Sequence, residues 1–431
     1  MHTETILAYI DQNLKTDITA GELASMAGYS LWHFCRLFSQ AIGMPVTAYI
    51  SKRRLDKALL EISSGRKSAD VAPEYGFDTY AGFYKAFTRM YGCSPRKYLS
   101  LYGEYKSKIS GGFCHMKEHE LRQLLTHWDV PHNLPISDIY IMDGAKISGN
   151  VWRLGNEYIL KTGLRDQMLK NIRVTKALTA QGFTAAALIP TKSGAEYLDG
   201  EQITALTHRL PGAPLPKEDR FGDDRYEFGC KYGQAIAKLH NALAEAEPHI
   251  LPDEANLYKQ VTEWALPNVE KQNQQWNMGL LEEFFADYIT GFGELFDKLP
   301  KQLIHRDPNP SNILFHGGEV SGFIDFDFSE KNVRLWDICY CATGILSEWR
   351  GVDDIQEKWP LVLKGILHGY DSVNPLTPEE KQAVYYVICS IEMVCLAYFA
   401  TVDWLHEVEK TNREMLTYIV SRRTEIEGIF S

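Results

Sequence analysis

A polar segment, Tyr102–Glu118, divides the chain into two parts that differ in charge and in the spacing of their apolar residues. The whole chain of 431 residues has a formal net charge of −11. Residues 1–109 contain 14 Lys and Arg against 10 Asp and Glu, whereas the remainder contains 31 against 46. The overall acidity, which by itself argues against nucleic-acid binding, therefore conceals a basic N-terminal quarter. A chain of this length with such a division is expected to form more than one domain.

The N-terminal part has the period of short helices broken by turn residues. A helix is predicted over Thr3–Leu14, and Thr19 with Glu22 three residues later has the spacing of a capping box. The short helix that follows ends at Gly28, and a further helix is predicted over Leu31–Ile42. A helix, a glycine turn and a second helix form a helix-turn-helix.

The same order of elements returns about 48 residues later, around Gly76. Aligning Gly28 with Gly76 places Phe34 beside Gly82, so the repeat is predicted to be one of elements more than of residues. Between the two units, Val46–Ser63 reads as a long amphipathic helix with a basic face.

These two units resemble the DNA-binding module of AraC/XylS transcription regulators, through LASMAGYS at Leu23–Ser30, KRRLDKALL at Lys52–Leu60 and GFDTYAGFYKAFTRMYGCSP at Gly76–Pro95. The resemblance implies an all-α double helix-turn-helix domain over residues 1–105, with the second helix of each unit in a major groove. Side chains at the start of those helices would read bases, and arginines elsewhere would contact phosphates. The predicted DNA-binding residues are Trp32, His33, Arg36, Arg53, Arg54, Thr79, Tyr80, Tyr84, Lys85 and Arg89.

Pro73 lies inside the first helix of the second unit, where it removes a backbone hydrogen bond. This departure leaves open the alternative that the module has lost DNA binding.

The acidic part begins with strand patterns and continues mostly as helix beyond Pro211. This order predicts an α+β arrangement of a small sheet lobe and a helical lobe with a cleft between them. One helix is predicted over Arg165–Gln181. The predicted strands are Ser137–Met142, Val151–Leu154, Tyr158–Lys161, Thr184–Pro190 and Gln202–Arg209.

Two segments of the helical lobe carry the residue types that phosphoryl transfer requires. His305–Asn312 reads HRDPNPSN, and Asp325 and Asp327 follow in the apolar segment GFIDFDF. One carboxylate must accept the proton of the acceptor hydroxyl, while an amide and a second carboxylate hold Mg²⁺ on the nucleotide phosphates.

These segments resemble the H-x-D-x-x-x-x-N and D-x-D motifs of aminoglycoside phosphotransferases and choline kinases, which are protein-kinase-like small-molecule kinases. The resemblance implies a linker over residues 106–118 and a bilobal kinase-like domain over 119–431, divided near residue 210. It implies ATP or GTP and Mg²⁺ as cofactors, and His305 and Asp337 as braces of the catalytic loop. The implied site residues are Asp307 as catalytic base, Asn312, Asp325 and Asp327 as metal ligands, and Lys161, Ser148 and Asn150 as nucleotide-binding residues.

One departure concerns Lys161, which such kinases pair with a glutamate on the following helix. That helix contains no glutamate, and Asn171 stands about where the glutamate is expected. Lys161 is therefore expected to lack its usual partner. Two alternatives remain open, an active alcohol phosphotransferase and a catalytically weak ligand sensor.

Acids and aromatic residues such as Glu348, Trp349 and Glu392 indicate a small hydroxylated acceptor with a positive charge. No segment approaches the roughly 20 apolar residues that span a bilayer. The sequence thus predicts a bacterial, cytoplasmic transcription regulator that binds DNA and carries a kinase-like domain, with its oligomeric state left open.

Overall fold

In a computed structural model, the chain is described over residues 3–31, 33–35, 38, 46–63, 66–77, 79–91, 118–131, 133–142, 145–200, 202–349, 354–400 and 406–430. It divides into two compact units. The first comprises Met1–Gly112 with Tyr398–Val408, and the second comprises Phe113–Ala397 with Glu409–Ser431. Apart from Glu118, the predicted linker over 106–118 lies outside the described residues.

The described helices of the first unit agree with the predicted order of two helix-turn-helix units joined by a long helix. The predicted helix over Leu31–Ile42 lies mostly outside the described residues, but Leu31, 33–35 and Phe38 are helical. The helices are α1 (Thr3–Gln12), α2 (Ala20–Met26), α3 (Val46–Ser63), α4 (Ser68–Glu74) and α5 (Tyr80–Tyr91).

Both units turn in the same way at their glycine. Gly28 and Gly76 adopt φ values of +72° and +79°, which favour glycine because a side chain would crowd the backbone. In each turn the next residue closes a Schellman motif, from Tyr29 N–H to Ala24 O at 3.0 Å and from Phe77 N–H to Ala72 O at 3.1 Å.

The second turn is one residue longer than the first. Phe34 and Phe83, at 0% exposure, occupy equivalent core positions 49 residues apart, as their hydrogen bonds to Ser30 O and Thr79 O show. The repeat therefore extends to core residues, and the prediction that Phe34 matches Gly82 was wrong. Pro73 is accommodated near the end of α4.

The second unit begins with α6 (Glu118–Leu125) and an antiparallel sheet in the order β1-β2-β3-β4. Because side chains alternate along a strand, one face packs Trp152, Leu160 and Leu206 with α6, and the other packs Ile203 and Ala205 with the helix after β3. Lys161 pairs with Ala205 in the register. The elements are β1 (Ile136–Met142), β2 (Ala145–Leu154), β3 (Tyr158–Gly163), α7 (Arg165–Ala180) and β4 (Ile203–His208).

One predicted strand is absent from the described residues of this lobe. Thr184–Pro190 contributes isolated bridges, Ala185 to Phe323 and Leu188 to Thr207, and no continuous ladder. Its apolar residues fill gaps beside the sheet, which produces the same sequence pattern as a strand.

The helical lobe contains two small antiparallel sheets, β5-β7-β8 and β6-β9, surrounded by helices. Short π-helical turns interrupt its helices at Val261–Ala265 and Tyr288–Phe292. The strands are β5 (Ala213–Pro214), β6 (Lys301–Ile304), β7 (Ile313–His316), β8 (Glu319–Phe323) and β9 (Glu330–Val333). The helices are α8 (Lys217–Arg220), α9 (Arg225–Ile250), α10 (Leu257–Gln260), α11 (Leu266–Trp276), α12 (Glu282–Asp287), α13 (Gly293–Phe296), α14 (Leu335–Leu346), α15 (Ile355–Asp371), α16 (Pro378–Phe399), α17 (His406–Ser421) and α18 (Arg423–Glu427).

Helices α9 and α15 approach each other through glycines. A Cβ added at Gly233 would lie 2.0 Å from Ile366 O, and one added at Gly369 would lie 2.2 Å from Cys230 O. The two backbones are therefore in direct contact, which any side chain at these positions would prevent.

The expectation that no segment approaches the length of a membrane span was wrong for α16, the one helix among the described residues that is long and apolar enough to cross a membrane. Of its most apolar window, 83% is buried within the protein. The predicted fold class, a helical double helix-turn-helix region followed by an α+β bilobal domain, is confirmed.

Candidate active site and nucleic-acid interface

The segment between β6 and β7 forms a tight loop around Asp307. Asn312 Nδ2 donates to Asp307 O at 2.9 Å and to Asp307 Oδ2 at 3.2 Å. Asp307 is partly exposed, so its carboxylate is accessible to another molecule. The loop thus brings together the predicted base and the predicted amide ligand.

His305 connects this loop to the segment that carries Asp325. The ring is completely buried, with Nε2 3.0 Å from Ile324 O and Nδ1 accepting the Asp307 N–H at 3.3 Å. A neutral ring that donates from Nε2 and accepts at Nδ1 satisfies both contacts. His305 therefore braces the loop, as expected.

The carboxylate of Asp337 also binds the backbone of this loop. Its two carboxylate oxygens accept the backbone N–H groups of His305 at 2.8 Å and Arg306 at 2.9 Å. His240 Nε2 lies 2.9 Å from Asp337 Oδ2, and His240 Nδ1 lies 2.8 Å from Tyr370 Oη. His240 lies within α9, and its role as a brace was not predicted.

Arg306 adopts a left-handed backbone conformation, with φ +74°. Its guanidinium lies 3.4 Å from the centre of the Trp336 ring and forms an ion pair with Glu330 at 2.8 Å. A left-handed backbone at a non-glycine residue is costly and is typically retained at functional sites. These contacts fix the residue next to Asp307.

Asp325 is also left-handed, with φ +72°, at the start of a short 3₁₀ turn over Phe326–Phe328. The Lys161 ammonium lies between this turn's carboxylates, 2.9 Å from Asp325 Oδ1 and 2.6 Å from Asp327 Oδ1. Lys161 thus lacks the usual glutamate partner on the helix after β3, as expected, but it does have acidic partners. The acids come from the turn and not from the helix after β3.

Asn171 on α7 reaches the same turn. Its Nδ2 donates to Asp327 Oδ1 at 2.7 Å, and its Oδ1 accepts from Thr175 Oγ1 at 3.1 Å. Asn171 stands about where the kinases that this chain resembles carry a glutamate. Instead of a carboxylate it presents an amide, which contacts Asp327, a partner of Lys161.

The donor set around the turn fits a divalent cation. The oxygens of Asp325 and Asp327 already hold one cationic group, the Lys161 ammonium. With the Asn312 amide they make an all-oxygen set, which Mg²⁺ prefers. Among the described residues, no group of three or more His, Cys, Asp and Glu side chains is arranged to hold a metal ion, so the site depends on two carboxylates and an amide.

Ser148 and Asn150 lie within β2 and not in a loop, since Ser148 pairs with Tyr140 across the β1-β2 ladder. The side chain of Ser148 lies outside the described residues. A phosphate-covering loop at 148–150 is therefore corrected to part of strand β2, whose pairing with β1 is irregular between Ser148 and Trp152.

On another side of the loop, α16 carries Glu392, which is 1% exposed. Its Oε2 has no hydrogen-bond partner among the described residues, and burial raises the pKa of its carboxyl well above the ordinary value. Burial also raises the pKa of the Cys395 thiol, and the charges of Glu392, Arg306 and Asp307 act on the same thiol. Glu348, by contrast, is bound to Arg220 within the lobe.

The described part of the second recognition helix, α5, presents an exposed face. Thr79, Tyr80, Tyr84 and Lys85 are all exposed, and the Tyr80 and Tyr84 rings lie 6.2 Å apart. Thr79 Oγ1 also caps the helix by accepting the Gly82 N–H at 3.0 Å. The structure thus places four predicted contacts on one accessible helix start.

In the first recognition helix, Leu31 is 53% exposed and His33 is partly exposed. Trp32 and Arg36 lie outside the described residues, as does the side chain of Arg89 in α5.

Arg53 and Arg54 are engaged inside the first unit. Arg53 binds both carboxylate oxygens of Asp11, at 2.8 and 2.9 Å. Arg54 donates to Leu14 O at 3.1 Å and Thr16 O at 2.6 Å. These contacts join α3 to α1 and the segment after it, and the phosphate contacts of the two arginines stay predictions.

Comparison with known proteins agrees with this division. A model of the phosphotransferase enzyme family matches residues 144–379, and a helix-turn-helix domain model matches residues 23–100. The HTH-type transcriptional activator AarP of Providencia stuartii is 35% identical over 94 residues, which are 22% of this chain and 70% of that protein. Homoserine kinase of Gluconobacter oxydans is 31% identical over 250 residues, which are 56% of this chain and 74% of that protein.

Among solved structures, that of a microcompartment-associated aminopropanol kinase covers 73% of this chain and 99% of its own, with a TM-score of 0.51 at 15% identity. At this identity the likeness shows the fold alone.

Proposed function

The chain belongs to the phosphotransferase enzyme family and carries an AraC-type helix-turn-helix domain, and from this premise we propose that it is a DNA-binding transcription regulator with an ATP-dependent alcohol phosphotransferase unit. The observation that carries the proposal is the convergence of two segments in the second unit. Asp307 and Asn312 contact each other in the loop, and Lys161 contacts Asp325 and Asp327 at the turn.

In this proposal Asp307 accepts the proton of the acceptor hydroxyl while the hydroxyl oxygen bonds to the γ-phosphorus and the bond to the leaving ADP oxygen breaks. Lys161 binds phosphate oxygens of the nucleotide. Asn312, Asp325 and Asp327 would hold Mg²⁺, which neutralises phosphate charge when bound. His305 and Asp337 keep Asp307 in place, so that catalysis rests on positioning and charge.

The acceptor that we propose to test first is homoserine. Relatives that match most of the kinase-like unit include two homoserine kinases, which are 25% identical over 318 residues and 31% identical over 250 residues. Homoserine is a small hydroxylated amino acid with an ammonium and a carboxylate group, and it is the ammonium group that agrees with the acidity of the second unit.

The test is phosphoryl transfer from ATP with Mg²⁺ to homoserine, measured as ADP release and as phosphorylated product. The wild-type chain is expected to turn over, and Asp307→Asn is expected to lose at least about 100-fold in kcat. Exposed Lys271→Ala serves as control. Equal background rates for wild type and Asp307→Asn, across homoserine and a panel of amino alcohols, would contradict the enzymatic part of the proposal.

The sensor alternative rested on the absence of a glutamate partner for Lys161 on the helix after β3, and α7 contains none. The contacts of Lys161 with Asp325 and Asp327 give the lysine other acidic partners and support testing the active enzyme first.

The regulator part is supported by the exposed start of α5 and the matching turns of the two units. Its test is binding of the full chain to promoter fragments from its own genomic neighbourhood, at several salt concentrations. We expect specific binding that weakens steeply with salt. Binding indistinguishable from that to a scrambled fragment would favour a module that has lost DNA recognition.

A further inference from the structure

The partner of Lys161 is held by a residue that phosphotransfer does not otherwise use. Asp327 Oδ1 accepts two hydrogen bonds, from Lys161 Nζ at 2.6 Å and from Asn171 Nδ2 at 2.7 Å. Asp327 is 4% exposed. A buried carboxylate is tolerated when it is paired and hydrogen-bonded, so the two donors together fix the position of the Asp327 carboxylate.

The orientation of the Asn171 amide is determined by a second contact. Thr175, one turn later on α7 and 4% exposed, donates from Oγ1 to Asn171 Oδ1 at 3.1 Å. With its oxygen engaged in this way, the amide directs its nitrogen to Asp327. A glutamate or aspartate at residue 171 could not donate and would place a second negative charge against Asp327.

We propose that Asn171 is a positioning residue that fixes Asp327 as the anchor of Lys161. This inference rests on the proposed function, because it concerns the nucleotide-binding lysine. In place of the glutamate of related kinases, α7 contributes an amide, and the turn contributes the carboxylate that holds the lysine.

One consequence concerns nucleotide binding. Lys161 also contacts Asp325 at 2.9 Å, and this second contact is the one that it exchanges for phosphate oxygens. Asp327, held by Asn171, keeps the ammonium close to the turn throughout. Without Asn171 the anchor itself becomes free to rotate, and the lysine binds phosphate less well.

The first experiment measures ADP affinity of the full chain by calorimetry, once in EDTA and once with Mg²⁺. The affinity for ADP in EDTA measures how strongly Lys161 contributes to phosphate binding in the absence of the metal. Asn171→Leu, which has a similar volume and no donor, is expected to weaken ADP binding about tenfold, the effect of losing one hydrogen bond to a charged group. Thr179→Val is the matched control, because this hydroxyl on the same helix bonds only to backbone carbonyls among the described residues.

The second experiment exchanges the amide of residue 171 and the carboxylate of residue 327. Asn171→Asp places two carboxylates together, and Asp327→Asn removes the anchor, so each is expected to weaken ADP binding. The double variant Asn171→Asp/Asp327→Asn again has one amide donating to one carboxylate beside Lys161. It is expected to bind ADP in EDTA more tightly than either single variant, which a merely structural role of Asn171 does not predict.

Thermal unfolding verifies that each variant is folded. Equal ADP affinities for wild type and Asn171→Leu, or losses that add up in the double variant, would overturn the inference and leave the proposed function standing. Weakened ADP binding in Asn171→Leu, together with no phosphoryl transfer by the wild type, would instead contradict the proposed function and support the positioning role.

Discussion

His240 Nε2 lies 2.9 Å from Asp337 Oδ2, and both side chains are completely buried in the helical lobe. The contact joins α9 to α14, and the same carboxylate accepts two backbone N–H groups of the catalytic loop. The loop that presents Asp307 is thus attached to the two helices at its base by one carboxylate.

From this arrangement we predict that Asp337→Asn lowers kcat by about 100-fold, because an NH₂ group replaces an acceptor oxygen facing backbone donors and displaces the loop. The free energy of unfolding should fall by about 3 kcal/mol. Steady-state kinetics and denaturant unfolding measure the two effects. Ser372→Ala, which removes a hydroxyl that bonds to Gly369 O, is the control. Wild-type kcat in folded Asp337→Asn would contradict a positioning role for Asp337.

The backbone contact between α9 and α15 predicts a strong effect of adding a methyl group. Gly233→Ala should lower the free energy of unfolding by about 3 kcal/mol, because the new Cβ would meet Ile366 O at 2.0 Å. Gly428→Ala is the control, since this glycine has φ −79° and no atom within 4 Å of an added Cβ. Chemical denaturation of both variants measures the difference. Equal stability of the two variants would show that the helices can separate at no cost.

The exposed face of α5 predicts that Lys85 contributes to specific DNA binding. Lys85→Ala should weaken specific promoter binding by about 2 kcal/mol, because Lys85 is exposed at the start of the second recognition helix. Fluorescence anisotropy with specific and scrambled fragments measures the change. Lys271→Ala removes the same charge from an exposed site in the second unit and should leave binding unchanged. If both variants bind equally well, α5 does not enter the groove.

Glu392 predicts a pH dependence of stability. Burial raises its pKa in the folded protein well above the ordinary 4.5, so the folded state holds this proton to a higher pH than the unfolded state does. The free energy of unfolding is therefore lowered as pH rises above about 4.5, by about 1.4 kcal/mol per pH unit until the folded-state pKa is reached.

Glu392→Gln does not titrate and should be more stable than wild type at pH 7, with the two converging near pH 4. Thermal and denaturant unfolding across this range measure the difference. A constant difference between the two proteins at all pH values would contradict the buried, unpaired state of this carboxyl.

Local features were predictable from the sequence because their physical causes lie within a few residues. The turn glycines Gly28 and Gly76, the cap at Thr19 and the loop from His305 to Asn312 each act over short separations in the chain. The repeat was underestimated for a local reason as well, since one additional residue after Gly76 shifts the register of the core phenylalanines.

The amino-acid sequence by itself therefore determined the division into two units, their fold classes, and the residue types that meet around Asp307. Only the tertiary structure decided which groups pair with one another. Lys161 has its acids more than 160 residues away in the chain, Asn171 reaches Asp327 across 156 residues, and Arg53 binds Asp11 across 42 residues. A charge takes the partner that packing brings within hydrogen-bond distance, and that distance is determined by how the elements pack and not by their order along the chain.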